Sequence, residues 1–161
     1  MLIGVQGVSY TEKDTPLMEL PSTPDRHIHF HCYTTTSENR AVEVLRMDTN
    51  NLKTLVHRGF IKHPGKIGAI KLFEAKAESQ HMLYATHINN ERGKYRKDLK
   101  SNRTVMVWSR TTENTDNEYL DNTVGCLALL IKLGVSLRET KGKTGVTDMY
   151  DYMKNLEIQD L

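Results

Sequence analysis

The most regular apolar pattern lies late in the chain, in the segment YLDNTVGCLALLIKLG from Tyr119 to Gly134. Its apolar residues recur at spacings of three and four, which predicts a helix buried along one stripe. Acidic residues gather at its start, and Lys132 followed by Gly134 is a typical helix end. The uninterrupted apolar run, Cys126 to Ile131, is far shorter than the ~20 residues that a transmembrane helix needs. The pattern therefore predicts the central core helix of a soluble domain.

Strict alternation of apolar and polar residues predicts strands elsewhere. The clearest is His27 to Thr36, HIHFHCYTTT, in which Cys32 shares one face with the preceding isoleucine and phenylalanine. Weaker alternation predicts strands over Met82 to Asn89 and over Arg103 to Thr112. The residues between them, Glu91 to Asn102, are polar and basic, and they predict a connecting loop.

Helical spacing returns in two further segments. Asp48 opens a helix with one apolar face that extends to Phe60, and a second helix is predicted over Ile67 to Ala77. After the central helix, the pattern predicts a strand over Val135 to Thr140 and a last helix that begins at Thr147. This order lacks regular β-α-β alternation. It predicts an α+β fold with a mostly antiparallel sheet of about five strands and helices packed against it.

The first part of the chain predicts a separate N-terminal arm, residues 1–26, before a globular domain over 27–161. Thr11 to Arg26 contains three of the four prolines and has neither helical nor strand periodicity. At its centre Leu17, Met18 and Leu20 are apolar, and exposed apolar residues in an ordered arm favour a docking role. The alternative is a plain loop.

Charge is distributed unevenly along the chain. From His57 to Arg103 there are eleven Lys plus Arg and four acidic residues, a net of +7, whereas the remainder has eleven basic and sixteen acidic residues, a net of −5. This asymmetry indicates an anionic partner, or acidic parts of other copies of the chain. The candidate residues for binding phosphates or lipid headgroups are Lys62, Lys66, Lys71, Arg92, Lys94, Arg96, Lys97, Lys100 and Arg103.

Two observations limit that interpretation. Tyr95 is the only aromatic residue within the basic loop, so base stacking has little support, and no RNA-binding signature is present. The alternative is a solvated loop with no binding role.

The histidines of the first strand are the candidate metal ligands. His27, His29 and His31 point the same way on an extended strand, so neighbours lie roughly 6.6 Å apart and an adjacent pair can chelate zinc. The outer two lie roughly 13 Å apart, so a third ligand has to come from elsewhere, for example His81 or His87. We therefore expect no metal and no other cofactor.

Catalytic motifs are also missing from the sequence. Gly142-Lys143-Thr144 ends like a phosphate-binding loop, but Leu137 occupies the position that requires the first glycine. No dinucleotide-binding or nucleophile-elbow pattern occurs, so we expect no enzymatic activity. Cys32 and Cys126 both lie among apolar neighbours, which predicts buried free thiols in a reducing compartment.

Two segments resemble the globular domain of rhabdovirus matrix proteins. In the first, Ile28 to Ala77, an aromatic-rich strand and an S-x-N-R-like turn at Ser37 to Arg40 precede a helix, a Gly/Lys loop and a second helix. The second, Arg103 to Gly145, is similar to the family's C-terminal half. There a strand leads to a helix that ends in an apolar-Gly-apolar step, here Leu133-Gly134-Val135, followed by a final strand.

The N-terminal part departs from the animal-virus members of that family. It has no long lysine-rich tail and no PPxY peptide, and Pro21-Ser22-Thr23-Pro24 is only distantly similar to a late domain. In this respect the chain resembles the matrix proteins of plant-infecting, cytorhabdovirus-like members.

The resemblance implies a structural role in the virion. A matrix protein of this family condenses the viral ribonucleoprotein, self-associates into a coat and bridges it to membrane for assembly and budding. The implied partners are other copies of the chain in head-to-tail contact, the viral nucleoprotein–RNA complex, an anionic membrane surface and the viral glycoprotein. The implied locations are the virion, the host cytoplasm and the inner face of membranes. Leu17, Met18, Leu20 and Pro21 occupy the place of the family's self-association segment.

Two alternatives from other classes remain at this point. One is a small nucleic-acid-binding viral accessory protein similar to a silencing suppressor, and the other is a metal-dependent enzyme that uses the histidine strand. Salt-sensitive oligomers formed without nucleic acid favour a matrix protein. A protein that stays compact until RNA is added favours the accessory role.

Overall fold

A computed structural model describes residues 3–21, 23–36, 42–66 and 68–134. The strands are β1 (Ile3–Val8), β2 (Arg26–His29), β3 (Cys32–Thr36), β4 (Glu43–Asp48), β5 (Glu91–Lys97) and β6 (Thr104–Arg110). The helices are α1 (Thr49–Ile61), α2 (Met82–Asn89) and α3 (Glu118–Lys132), and single 3-10 turns cover Leu17–Glu19 and Glu78–His81. The predicted α+β class is confirmed.

The described strands form two sheets instead of one sheet of about five strands. Four of them lie in the order β1-β4-β3-β2, with β1 parallel to β4 and the other neighbours antiparallel. β5 and β6 form a separate antiparallel hairpin. Helices α1 and α3 contact each other and pack on one face of the larger sheet, and α2 packs on α3 and β5.

The apolar core lies between that sheet face and the helices. It is formed by Cys32, Leu45, Met47, Leu52, Val56, Ile88, Leu120, Val124, Ala128 and Ile131. Four of these lie on α3, at the three- and four-residue spacing that predicted a core helix. The prediction of α3 is confirmed, and Gly134 ends it with a φ of +83°, which favours glycine.

The start of α1 also follows from local chemistry. Asp48 is the N-cap, and its carboxylate accepts hydrogen bonds from the backbone N–H and the side-chain amide of Asn51. The apolar stripe of α1, which includes Leu52 and Val56, faces the core. The prediction of a helix that begins at Asp48 is therefore confirmed. The strand predicted over Arg103 to Thr112 is also confirmed, and it is observed at Thr104–Arg110.

The prediction of a single long strand over His27 to Thr36 is wrong, because this segment forms two strands, β2 and β3, that pair as a hairpin. The chain turns at Phe30 and His31, where His31 has a φ of +56°, and His29 pairs with Cys32. The turn reverses the alternation, so that Cys32 lies on the same face as His29 and points into the core. Alternation by itself does not distinguish one strand from two strands joined by a two-residue turn.

The middle of the chain differs most from the expectation. No helix is present over residues 68–77, and the segment predicted as a strand, Met82 to Asn89, forms α2. Its most buried residues, Tyr84, His87 and Ile88, have helical spacing and face α3 and the core. The predicted loop over 91–102 is instead β5 and its turn.

Several predictions fall outside the described residues. These are the turn at Ser37 to Arg40, the strand over Val135 to Thr140 and the helix from Thr147 onward.

Candidate anionic-surface interface

The basic segment forms an ordered hairpin. All seven residues of β5 pair with β6, and the backbone N–H of Asp98 donates to the carbonyl of Arg103 at 2.9 Å to close the turn. Hydrogen bonds from the Ser101 side chain and from the backbone N–H groups of Ser101 and Lys100 to the Asp98 carboxylate lower the pKa of Asp98. The positive charges of this segment are therefore carried by a folded element and not by a loop.

The inner face of the hairpin packs on α1. Gly93 lies opposite Trp108 in the pairing register, and a Cβ at Gly93 would lie 2.5 Å from Sδ of Met106, so a larger residue there would have to displace the Met106 side chain. The Trp108 indole N–H donates to Oγ1 of Thr54 at 2.9 Å, and its backbone N–H donates to Oδ1 of Asn50 at 3.0 Å. The Asn50 side chain thereby binds the edge of β6 that faces away from β5.

The outer face of the hairpin carries three cations. Arg92, Lys94 and Arg96 alternate along β5, so they point to the face opposite Gly93, at intervals of roughly 6.6 Å. All three are exposed, and among the described residues no carboxylate lies within ion-pair distance of them. Their neighbours across the pair are Val105, Val107 and Ser109. We call Arg92, Lys94 and Arg96 the basic outer face.

The other basic residues predicted to bind anions lie outside the basic outer face. Lys97 belongs to the inner-face register and is exposed, and Lys100 is exposed at the tip. Arg103 is half-buried and donates to the carbonyl oxygen of Asp14. Lys62, Lys66 and Lys71 are exposed, at the C-terminal end of α1 and on the segment that follows it. Six of the nine basic residues predicted to bind an anionic partner thus lie on the hairpin.

A buried ion pair holds the base of the hairpin. Nζ of Lys53, on α1, lies 2.6 Å from Oε1 of Glu91, at the start of β5, and 2.9 Å from Oδ1 of Asp121, on α3. The Lys53 and Glu91 side chains are only 10% and 4% exposed, and the Asn117 amide also donates to Glu91. These contacts tie the hairpin to both helices.

Asn90 adds a second anchor immediately before β5. Its side-chain amide donates to the carbonyl of Thr115, and its Oδ1 accepts from the hydroxyl of Thr112 at 2.9 Å. Its own carbonyl accepts the backbone N–H of Thr111 at 2.7 Å. The hairpin is therefore fixed at its base by buried polar groups.

Sequence reasoning missed these anchoring residues, although a signal was present. Asn50, Lys53, Thr54 and His57 follow helical spacing on α1 and form a polar stripe beside its apolar one. A helix with two distinct stripes has two packing partners, and the second partner is the hairpin.

His57 completes that stripe. Its ring stacks on Trp108 with a centroid distance of 4.3 Å, and its Nε2 is buried without a hydrogen-bond partner in the part of the chain that the structure describes. Burial lowers the pKa of His57 below its ordinary value of 6.5. The neutral ring is thus the form that packs between α1 and the hairpin.

We expect acid to weaken this packing. Because the folded-state pKa of His57 lies below 6.5, the unfolded chain binds more protons between the two values, and stability is lost as the pH falls through that window. His57→Phe keeps an aromatic ring on Trp108 but cannot be protonated. Urea unfolding at about pH 7.5 and about pH 5.5 should show a smaller loss of stability in the variant than in the wild type.

The control for this measurement is His63→Phe, at an exposed position, which should keep the wild-type pH dependence. Equal losses of stability in the wild type and His57→Phe would contradict the assignment.

The three histidines considered as candidate metal ligands do not share one strand. His27 and His29 lie on β2, whereas His31 is in the turn. In the described part of the chain, no three or more His, Cys, Asp or Glu side chains are grouped so that they could hold a metal ion.

Of the two cysteines predicted to be buried, Cys32 is buried, and its burial raises the pKa of the thiol to about 11. The prediction is wrong for Cys126, which is exposed. The non-core side of α3 carries it.

The predicted self-association residues have different environments. Leu17 is only 1% exposed and is therefore covered by its own chain. Met18 is 48% exposed, and its Sδ accepts the backbone N–H of His31 at 3.4 Å. Leu20 is half-buried, and Pro21 is exposed while its carbonyl accepts from Arg26 at 2.9 Å. Met18 and Pro21 are thus the accessible members of the set.

Comparisons with known protein families, with curated proteins and with solved structures found no match to this chain. Among the described residues, no helix has both the length and the apolar character needed to cross a bilayer.

Proposed function

We propose that this protein is a structural assembly protein of the viral matrix type, which binds an anionic partner through the basic outer face of the hairpin. The observation that carries the proposal is the alignment of Arg92, Lys94 and Arg96 on one exposed strand face without acidic partners among the described residues. Three like charges held at this spacing repel one another, and an anionic surface relieves that repulsion.

The anchoring of the hairpin supports the same function. Each cation near an anionic surface contributes about 1 kcal/mol of attraction, and phosphates release counterions when they are neutralised. A hairpin already fixed through Lys53, Glu91 and Asn90 loses little conformational freedom on binding, so more of this attraction is retained as affinity. The basic outer face is therefore pre-organised for a flat or extended polyanion.

The matrix assignment adds self-association to anion binding. It rests on the resemblance to rhabdovirus matrix proteins and on the contrast between a basic middle of +7 and flanks of −5, which favours head-to-tail contacts between copies. On this proposal the chain coats the viral nucleoprotein–RNA complex and bridges it to anionic membrane, in the virion and at the inner face of host membranes. It acts without catalysis or a cofactor.

The test neutralises part of the basic outer face. Lys94→Gln together with Arg96→Gln should weaken binding to phosphatidylserine-containing vesicles by roughly 30-fold, because two attractions of about 1 kcal/mol each are lost. Binding of the wild type should also weaken steeply with added salt. Vesicle co-sedimentation measures both effects, with circular dichroism as the folding control.

The matched control is Arg46→Gln together with Lys76→Gln, which removes the same charges from exposed positions outside the hairpin. It should bind nearly as well as the wild type. If both double variants bind equally, the basic outer face is not the interface. Light scattering of the wild type without nucleic acid tests the other half of the proposal, since a protein that stays monomeric at low salt is not a matrix protein.

A further inference from the structure

A cleft with a volume of about 200 Å³ lies between α1 and the inner face of the hairpin. Asn51, Thr54 and Arg58 line it from α1, and Tyr95 and Thr104 line it from the hairpin. Tyr10, from the segment after β1, is a further lining residue, and its backbone carbonyl accepts from the Asn50 side chain at 2.9 Å. We call this the tyrosine cleft. It is smaller than the roughly 300–1,000 Å³ typical of sites for drug-sized ligands, so it suits a small planar group.

Two groups in the tyrosine cleft are accessible to a ligand. The Tyr95 side chain is 71% exposed although it belongs to the inner-face register of β5. Arg58 is exposed, and among the described residues its guanidinium has no acidic partner. An exposed aromatic ring and a guanidinium with no acidic partner among the described residues therefore line the same small space.

The surroundings add to this chemistry. Lys97 lies two residues after Tyr95 on the same face and pairs with Thr104, so a second cation stands at the rim. Tyr10 is hydrogen-bonded to Tyr33, and burial together with Tyr33 raises the pKa of Tyr10 to about 12, which keeps its ring neutral. The buried Asp48 carboxylate already accepts hydrogen bonds from the backbone N–H and the side-chain amide of Asn51. The tyrosine cleft is thus aromatic and positively charged at its rim.

We infer that the tyrosine cleft binds one nucleotide of a single-stranded nucleic acid, with the base stacked on Tyr95 and a phosphate paired with Arg58. This inference deepens the proposed function, since it names the chemistry of one anionic partner. A lipid headgroup would bind through the cations alone, and the exposed ring of Tyr95 would then have no part in binding. Proteins that bind single-stranded nucleic acid use both, because bases stack on aromatic rings while phosphates pair with cations. The sequence offered only Tyr95 for stacking, and the fold places the Arg58 side chain in the same cleft.

The test uses a fluorescein-labelled single-stranded oligouridylate of roughly a dozen nucleotides, within the usual range of such sites. Fluorescence anisotropy should show that Tyr95→Ala weakens binding by roughly 5- to 100-fold, the usual loss when one stacking residue is removed. Tyr95→Phe, which keeps the ring, should bind like the wild type. Leu99→Ala, at an 89% exposed position on the same hairpin, is the matched control and should have no effect.

Inorganic polyphosphate separates stacking from charge, because it has phosphates and no bases. Its affinity, measured by competition, should be unchanged by Tyr95→Ala and reduced by Lys94→Gln with Arg96→Gln. If Tyr95→Ala binds the oligonucleotide like the wild type, or loses both ligands equally, the inference is overturned while the proposed function stands. Wild-type protein that binds vesicles and polyphosphate but no oligonucleotide also overturns the inference alone, and wild-type protein that binds no polyanion overturns both.

A cross-linking measurement checks the location independently of any variant. An oligonucleotide containing 4-thiouridine, irradiated on the wild-type protein, should attach to the peptide that contains Tyr95 or to the one that contains Tyr10. Cross-links confined to peptides that contribute no residue to the tyrosine cleft would overturn the inference.

Discussion

Replacing Lys53 with methionine should lower the free energy of unfolding by about 3–5 kcal/mol, the usual result of removing one partner from a buried ion pair. The Glu91 carboxylate, 4% exposed, would then lie in the protein interior with the Asn117 amide as its one side-chain donor among the described residues. Asp121 is half-exposed and can be hydrated, so it should add little to the loss. The hairpin should also become less firmly attached, because Glu91 is its first residue.

Urea denaturation measures this change. Lys53→Met combined with Glu91→Leu should recover much of the lost stability, since an apolar pair leaves no unpaired buried charge. The matched control, Lys76→Met at an exposed position, should change stability by no more than about 0.5 kcal/mol. A loss below about 1 kcal/mol for Lys53→Met would show that the pair is not buried in solution.

Leu17→Ala is the second large effect, with an expected loss of about 2–5 kcal/mol. Leu17 is 1% exposed, so truncation removes buried apolar contact and leaves a cavity. Its neighbour Met18 is 48% exposed, and Met18→Ala should change stability much less. The pair of variants therefore separates the part of the N-terminal arm that packs on its own chain from the part that is accessible to a partner.

Thermal unfolding and limited proteolysis together test this expectation. Cleavage within residues 11–21 should become faster in Leu17→Ala than in Met18→Ala, because loss of the anchor releases the arm first. If Leu17→Ala has wild-type stability and self-association is lost instead, the leucine contacts a neighbouring molecule and not its own chain.

The arm and the hairpin tip are also linked by charge. Arg103 donates to the carbonyl of Asp14. The hydrogen bonds from Ser101 and Lys100 lower the pKa of Asp98 in the hairpin turn, and the charge of Lys13, in the arm, lowers it further. Asp14 accepts from the backbone and hydroxyl of Thr11, and these hydrogen bonds lower its pKa in turn. The two regions singled out by the sequence for binding are therefore neighbours in the fold.

The predictions from sequence were wrong in segments whose residue pattern supported two types of secondary structure about equally well. The segment Met82 to Asn89 alternates like a strand, yet only contact with α3 and the core selects the helical spacing of Tyr84, His87 and Ile88. Glu91 to Asn102 is too polar to resemble a buried strand. It forms β5 because β6 supplies the pairing and α1 covers only one face, so the other face remains free for cations.

The amino-acid sequence was sufficient for the features whose signal is local: the buried stripe of α3, the Asp48 cap of α1 and the excess of positive charge in the middle of the chain. Each of these depends on spacing or composition within one segment, and neighbours in space do not alter it. The three-dimensional fold was needed to show that Leu17 is buried and that Tyr10 and Arg58 join Tyr95 in one cleft. Such features depend on which distant segments come into contact, and that is set by the packing of the sheets and helices as a whole.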